Sequence, residues 1–416
     1  MSVESPEVPT VESLDIAKGS QFKSQVKRLR QGDSGLAPIV IGLLALGIYF
    51  QIRQHSFLSA ANLTNLAIQA TVFILLGMAE IWLLLLGEID LSVGYVMGLG
   101  AAIATIQTDV QFHWAWYFGV LLAVGVTTVI GILQGLLTIG LKVPSFIVTL
   151  AGSLFWLGVM IWYIDRQGTG GSVSITNSFM YGLVNKSLSP LFTWIVLIGM
   201  AVVMSVLAVT KDVSRRRSGL DSVPTFVTVT KVVVFAAVAV ILGIVFNTDR
   251  SSYTVLRGMP WAVPIVFAVL ALYSFMLTRT KPGRYIYAIG GNAEAARRGG
   301  VNVNRYRLLA FALTGFTAGI AGLLYASTLN GVSDAIPGGT LVLYAVASAV
   351  IGGTSLFGGR GKMIHALVGG LVIATIYNGM ALIQLSAPIQ YMATAIVLLV
   401  AVTIDSIARR SAAASR

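Results

Sequence analysis

Cysteine is absent from the 416 residues, which excludes disulfides and thiolate metal sites. Histidine is scarce. His55, His113 and His365 stand alone, without the spacing of a motif such as HExxH, so no metal centre is expected. Charge is also short: 11% of residues are charged, against about 25% in soluble domains. A phosphate-binding loop is missing as well. Such a loop needs GxxxxGK[ST], whose backbone amides cradle the phosphates. The nearest stretch, Gly352–Lys362 (GGTSLFGGRGK), has Leu356 at the first glycine position and Met363 at the hydroxyl position. It reads as a glycine-rich turn, and the chain is expected to have no ATPase site and no bound cofactor of its own.

What is present is apolar. Hydrophobic residues make up 56% of the chain, and several runs approach the ~20 residues needed to cross a bilayer as a helix. The expected fold is an all-α polytopic membrane protein with about twelve spans (ten to twelve). They fall near 36–52, 62–86, 92–108, 115–140, 145–164, 191–210, 224–246, 260–278, 307–328, 341–352, 363–384 and 388–405. The third is a weak assignment. The tenth is short enough to be a broken helix or re-entrant segment. Residues 1–35 are polar, with an acidic start followed by Lys18, Lys23, Lys27, Arg28 and Arg30, an order unlike a signal peptide. They read as an N-terminal cytoplasmic tail, 36–405 as one transmembrane domain, and 406–416 as a C-terminal cytoplasmic tail.

Counting charge tests that layout. With both termini inside, 22 of the 28 Lys/Arg lie in inner segments and five in outer ones, with Lys231 inside a span. Positive residues are retained on the cytoplasmic side. The net charge of +12 therefore reflects short inner loops and not a nucleic-acid partner. One such loop, Lys211–Asp221, reads as a topology signal in contact with anionic lipid. Another, Arg279–Arg307, holds seven Lys/Arg and a single acid between two apolar stretches. Its centre, Asn292–Arg298, has a capping asparagine, helix formers and then Gly299-Gly300, the pattern of a short docking helix.

Carboxylates near or inside spans are the remaining chemical signal, because burying them in lipid is costly. Glu80, Glu88 and Asp90 cluster around Gly87–Gly94 (GEIDLSVG). Asp90 or Ser92 is placed to cap the third span, while a direct proton or substrate role for Glu88 or Asp90 is the less favoured reading. Glu80 is expected against a neighbouring helix or a polar cavity. Trp114, Trp116, Trp194 and Trp261 fit interfacial belts. Trp82, Tyr95, Trp156, Asn378 and Gln384 are the aromatic and amide groups available to line a sugar path. Of these, Trp82, Tyr95 and Asn378 are carried forward as pathway candidates, together with the embedded motif Glu88, Asp90 and Ser92.

Four blocks give the chain a family likeness: Gly87–Gly94 (GEIDLSVG), Val143–Gly152 (VPSFIVTLAG), Gly283–Gly300 (GRYIYAIGGNAEAARRGG) and Ile351–Gly361 (IGGTSLFGGRG). Together they resemble the permease subunits of bacterial ATP-binding-cassette sugar importers, in the ribose/xylose/galactose branch and nearest in wording to D-xylose permeases. The resemblance implies a homodimeric pathway in the bacterial inner membrane and two copies of a separate ATPase that uses ATP and Mg. It also implies a periplasmic or lipid-anchored sugar-binding protein. On the same grounds Gly290, Gly291, Asn292, Glu294, Ala295, Ala296 and Arg297 are expected to couple to the ATPase. Where relatives often carry acids, this chain has Leu343–Ser348 and Tyr377-Asn378-Gly379, which bears on which sugar is carried. The rival readings are an ion-coupled secondary transporter built on Glu80, Glu88 and Asp90, a passive channel, a membrane scaffold, or an importer of another sugar, a nucleoside or an amino acid.

Overall fold

Helices dominate because the apolar runs leave the backbone no other way to satisfy its amides in lipid. The computed structural model describes residues 37–108, 115–168, 170–218, 225–251 and 255–396, together with 399 and 403. In chain order these form α1 (Ala37–Arg53), α2 (Ala60–Leu84), α3 (Val93–Gln107), α4 (Trp116–Leu141), α5 (Ser145–Asp165), β1 (Ser172–Ser174), α6 (Ser178–Asn185), α7 (Pro190–Arg217), α8 (Thr225–Asn247), α9 (Ala262–Arg279), α10 (Lys281–Gly291), α11 (Ala293–Arg298), α12 (Val303–Leu329), β2 (Gly331–Ser333), α13 (Gly338–Ile351) and α14 (Met363–Leu382). A further helical stretch covers 387–396.

Eight of these helices are long and apolar enough to cross a membrane: α2, α4, α5, α7, α8, α9, α12 and α14. The chain is thus an all-helical membrane protein. Three more apolar helices are shorter: α1, α3 and α13. The twelfth expected span, 388–405, is described only in part, and the two polar tails and Trp114 lie outside the described residues.

The short helices have a common cause. At 15 and 14 residues, α3 and α13 reach only about 21–22 Å, less than the ~30 Å hydrocarbon core. Each follows a non-helical segment, 85–92 and 334–337, that takes up part of the depth. Their first turns meet: a Cβ on Gly94 would lie 2.2 Å from the Gly338 carbonyl oxygen, and the Tyr95 ring covers Gly338. Glycine is required there because two backbones occupy the space one side chain would need.

The core sits around α2, which is buried along most of its length and packed by α12, α13 and α14. By contrast α7 and α8 pack chiefly on one another and leave most of their surface exposed. Trp194 lies across Gly243 in that hairpin, so it joins α7 to α8 and is only partly available to an interfacial belt. A small cluster of Leu188, Leu197, Ala239, Phe246, Met259 and Val263 fastens the pair to the start of α9.

The Gly/Ser/Thr/Asn-rich stretch after α5 is ordered at the end remote from α11. There β1 pairs antiparallel with β2 in the register Ser172↔Ser333, Val173↔Val332 and Ser174↔Gly331. The α6 helix then lies over the end of α12. Asn185 Nδ2 donates to the Ser327 carbonyl (3.0 Å) and to Asn330 Oδ1 (2.8 Å), and the Val184 amide donates to Ser327 Oγ (3.1 Å).

Candidate functional site: the docking helix and its junction

α11 forms where a short helix is expected, and its ends explain why. The Asn292 side chain accepts from the Ala295 amide (2.9 Å), and the chain leaves through Gly299 and Gly300, the latter at φ +83°. Glu294 pairs within the helix with Arg297 (2.8 Å) and Arg298 (3.2 Å). These exposed pairs add little stability. They do organise a solvent-facing surface in which Gly291, Asn292, Ala293, Glu294, Ala295 and Arg297 are all exposed. Ala296 is turned inward and packs with Ile289 and Val303.

Gly290 also faces inward, and it is the centre of a tight junction. A Cβ at this position would stand 1.8 Å from the Leu85 carbonyl oxygen and 2.6 Å from the Gly359 amide nitrogen. Those two groups are bonded to each other, with Gly359 N donating to Leu85 O at 2.9 Å. Nearby, the Tyr287 hydroxyl donates to the Gly361 carbonyl at 2.6 Å. Burial pushes this phenol up to about 12, so it stays a donor throughout the physiological range. The glycine-rich turn 352–361 is therefore a surface onto which α10 and the end of α2 are both fitted.

The 85–92 segment joins the same junction from the other side. It lacks a helix of its own: the amides of Leu85 to Glu88 bond back to the end of α2, and α5 side chains take two of those that follow. Ile89 N donates to Ser145 Oγ (3.2 Å), and Leu91 N donates to Thr149 Oγ1 (3.0 Å). Ser92 does not cap α3, whereas Asp90 reaches the amides at its start. Ser92 has φ −103° and makes no side-chain cap bond. Instead Asp90 Oδ1 accepts from the Ser92 amide (2.7 Å) and the Ser92 hydroxyl (2.6 Å), and the Gln134 amide donates to Ser92 Oγ (2.8 Å). The reason is that the turn before Val93 is already bent toward α4, where Gln134 holds it. Gln134 in turn fits against Gly152 of α5.

All four sequence blocks thus converge on one end of the bundle. Glu88 completes the arrangement: it is buried, and Arg307 Nη2 in the second turn of α12 lies 2.5 Å from its Oε1. Arg307, Tyr287, Ser145 and Thr149 were not singled out from the sequence. From the sequence Arg307 reads as one more cation of the basic stretch Arg279–Arg307. Glu80 is fully buried in α2 with its carboxyl near the Asp90 amide, but neither oxygen reaches hydrogen-bond geometry with a described residue.

The pathway candidates do not meet in one place. Trp82 is buried near the end of α2, edge-on to Tyr273 at 5.2 Å. Asn378 lies at the opposite end of the bundle, accepting from Asn62 Nδ2 at 2.9 Å. Asn62 and Trp82 are separated by about 30 Å along α2. Tyr95 sits at the contact between α3 and α13. Trp156 lines an apolar cavity of about 270 Å³ with Trp162, Tyr163 and residues of α3 and α4. Gln384 is exposed just past the end of α14.

Comparison with known proteins adds an independent line. The family model for the permease component of branched-chain amino acid transport systems matches residues 62–402. The xylose transport system permease protein XylH of Escherichia coli is 34% identical over 374 residues, spanning 89% of this chain and 92% of that protein. XylH of Haemophilus influenzae is 34% identical over 371 residues, spanning 88% and 95%. The ribose import permease protein RbsC of Haemophilus influenzae is 28% identical over 366 residues, spanning 88% and 91%. No solved structure matches the chain.

Proposed function

The chain belongs to the family of branched-chain amino acid transport system permease components, and from that premise we propose that it is the membrane subunit of an ATP-driven importer of D-xylose. Two copies form the pathway in the bacterial inner membrane. Both termini face the cytoplasm, twelve segments cross or enter the bilayer, and two separate ATPase subunits dock on the α11 surfaces. A binding protein delivers the sugar at the opposite end.

One observation carries this reading. An exposed helix, α11, is held by backbone contact at Gly290 against the segment that leads into the half-helix α3. A partner that binds and moves α11 therefore acts directly on the transmembrane part. The 34% identity to xylose permeases over most of the chain supports the sugar. Conformational work of this kind requires that the partner bind the two states of the permease with different affinity.

Reconstitution into liposomes with the ATPase and the xylose-binding protein tests the proposal. Radiolabelled xylose should accumulate only with ATP and all three components. Uptake by the permease alone that collapses with a protonophore would overturn it in favour of a secondary transporter. ATP-dependent uptake of ribose in preference to xylose would overturn the sugar and leave the class intact.

A further inference from the structure

The Arg307–Glu88 pair is not the only contact that holds the junction together. Gly290 already fits against Leu85 and Gly359, and Tyr287 is bonded to Gly361. Buried ion pairs are poor stabilisers compared with apolar residues of similar size. The Arg307 side chain is 37% exposed while that of Glu88 is 5% exposed, so a partly water-accessible residue reaches a buried carboxylate.

The surroundings say what the pair connects. α11 runs through Gly299 and Gly300 into the Asn302 cap of α12, so Arg307 is one short turn and the start of a continuous helix away from the docking surface. Glu88 lies in the middle of 85–92, where the amides of Leu85 to Glu88 bond back to the end of α2 and those of Ile89 and Leu91 are held by the side chains of Ser145 and Thr149. The 89–91 stretch can shift without breaking an α-helical hydrogen bond of its own. The contacts at Gly290 are short-range and fail once surfaces part, whereas attraction between charges falls only as the inverse of distance.

We propose that Arg307 and Glu88 are positioning residues through which displacement of α11 is passed to the 85–92 segment and so to the half-helix α3. The inference rests on the transport reading above. Removing either charge should leave the ATPase bound and hydrolysing while disconnecting that work from sugar movement.

The test uses the reconstituted complex with Glu88→Gln, Arg307→Gln and Arg307→Lys. Glu88→Gln keeps the side chain's size, and Arg307→Lys keeps the charge. Both Gln variants should retain the ATPase at parental stoichiometry and keep basal ATP hydrolysis. They should lose stimulation by the sugar-loaded binding protein and take up xylose at least about tenfold more slowly, the factor expected from losing one modest charge interaction in the rate-limiting state. Arg307→Lys should recover most of the stimulation. Parental uptake in either Gln variant would overturn the proposal. So would equal damage in Arg307→Lys and Arg307→Gln, or a loss of uptake that tracks lost ATPase binding or a lowered thermal midpoint. Failure of the parent itself to capture the ATPase would overturn the transport reading as well, and is told apart because it appears without any substitution.

Discussion

Gly290 and Gly291 are neighbours in α10 that should respond to alanine with opposite signs. Alanine is preferred over glycine inside a helix by about 0.8–1 kcal/mol. At Gly291 nothing lies within 4 Å of the added Cβ, so that preference is free to act. At Gly290 the same carbon would stand 1.8 Å from the Leu85 oxygen and 2.6 Å from the Gly359 nitrogen. Ordinary contact is about 3.5 Å, so the backbones must part by more than an ångström. Neither obstacle is a flexible side-chain tip. Overpacking of this kind costs about 1–3 kcal/mol. Separating Leu85 O from Gly359 N exposes the further cost of an unpaired buried carbonyl, about 1–3 kcal/mol. After the helix-propensity gain, Gly290→Ala should be destabilised by roughly 1–5 kcal/mol and Gly291→Ala slightly stabilised. Thermal unfolding of the purified protein in detergent, followed by intrinsic fluorescence, compares the two directly. Limited trypsin digestion at the exposed basic residues Arg284, Arg297 and Arg298 in and beside α10 locates any loosening. Equal midpoints for the two variants would refute the close approach of α10 to the glycine turn.

Two smaller perturbations probe other parts of the architecture. Tyr287→Phe removes the donor to Gly361 and should lower stability by about 1 kcal/mol in the same unfolding assay, with no change in membrane insertion. Ser172→Cys with Ser333→Cys should form a disulfide on mild oxidation, read as a reversible gel shift. The two residues face each other across the ribbon at a position that is not hydrogen-bonded, and no other cysteine is available to compete. The out-of-register pair Ser172→Cys with Val332→Cys should fail to close.

Much of the fold could be read from residue order because it depends on local properties. The eight long helices follow from run length and polarity alone. α11 follows from Asn292 at one end and Gly299-Gly300 at the other, each acting within a few residues. The shortness of α3 and α13 is harder to read, since Leu85, Leu86, Ile89, Leu91 and Ile336 are apolar and continue the runs around them despite Glu88 and Asp90. Only the meeting of Gly94 with Gly338 shows that the first turns of the two helices abut each other. The junction was legible as four glycine-bearing blocks, but not as one place. A glycine reports that something comes close, and which backbone comes close is decided by contacts between distant parts of the chain. The same holds for Ser172–Ser174, whose composition reads as loop and whose strand exists only because β2 offers its amides.

The β1–β2 ribbon leads through 334–337 to the first turn of α13, which abuts α3, which follows the segment resting on Gly290. The two ends of the helix bundle are thereby joined through one unbroken series of contacts. Thermodynamic linkage then imposes a symmetry on any partners that use them. If the proposed partners bind as argued above, whatever factor a loaded binding protein adds to the affinity of the ATPase, the ATPase must add to the affinity of the binding protein. A measured change in one equilibrium constant therefore fixes the other before it is measured.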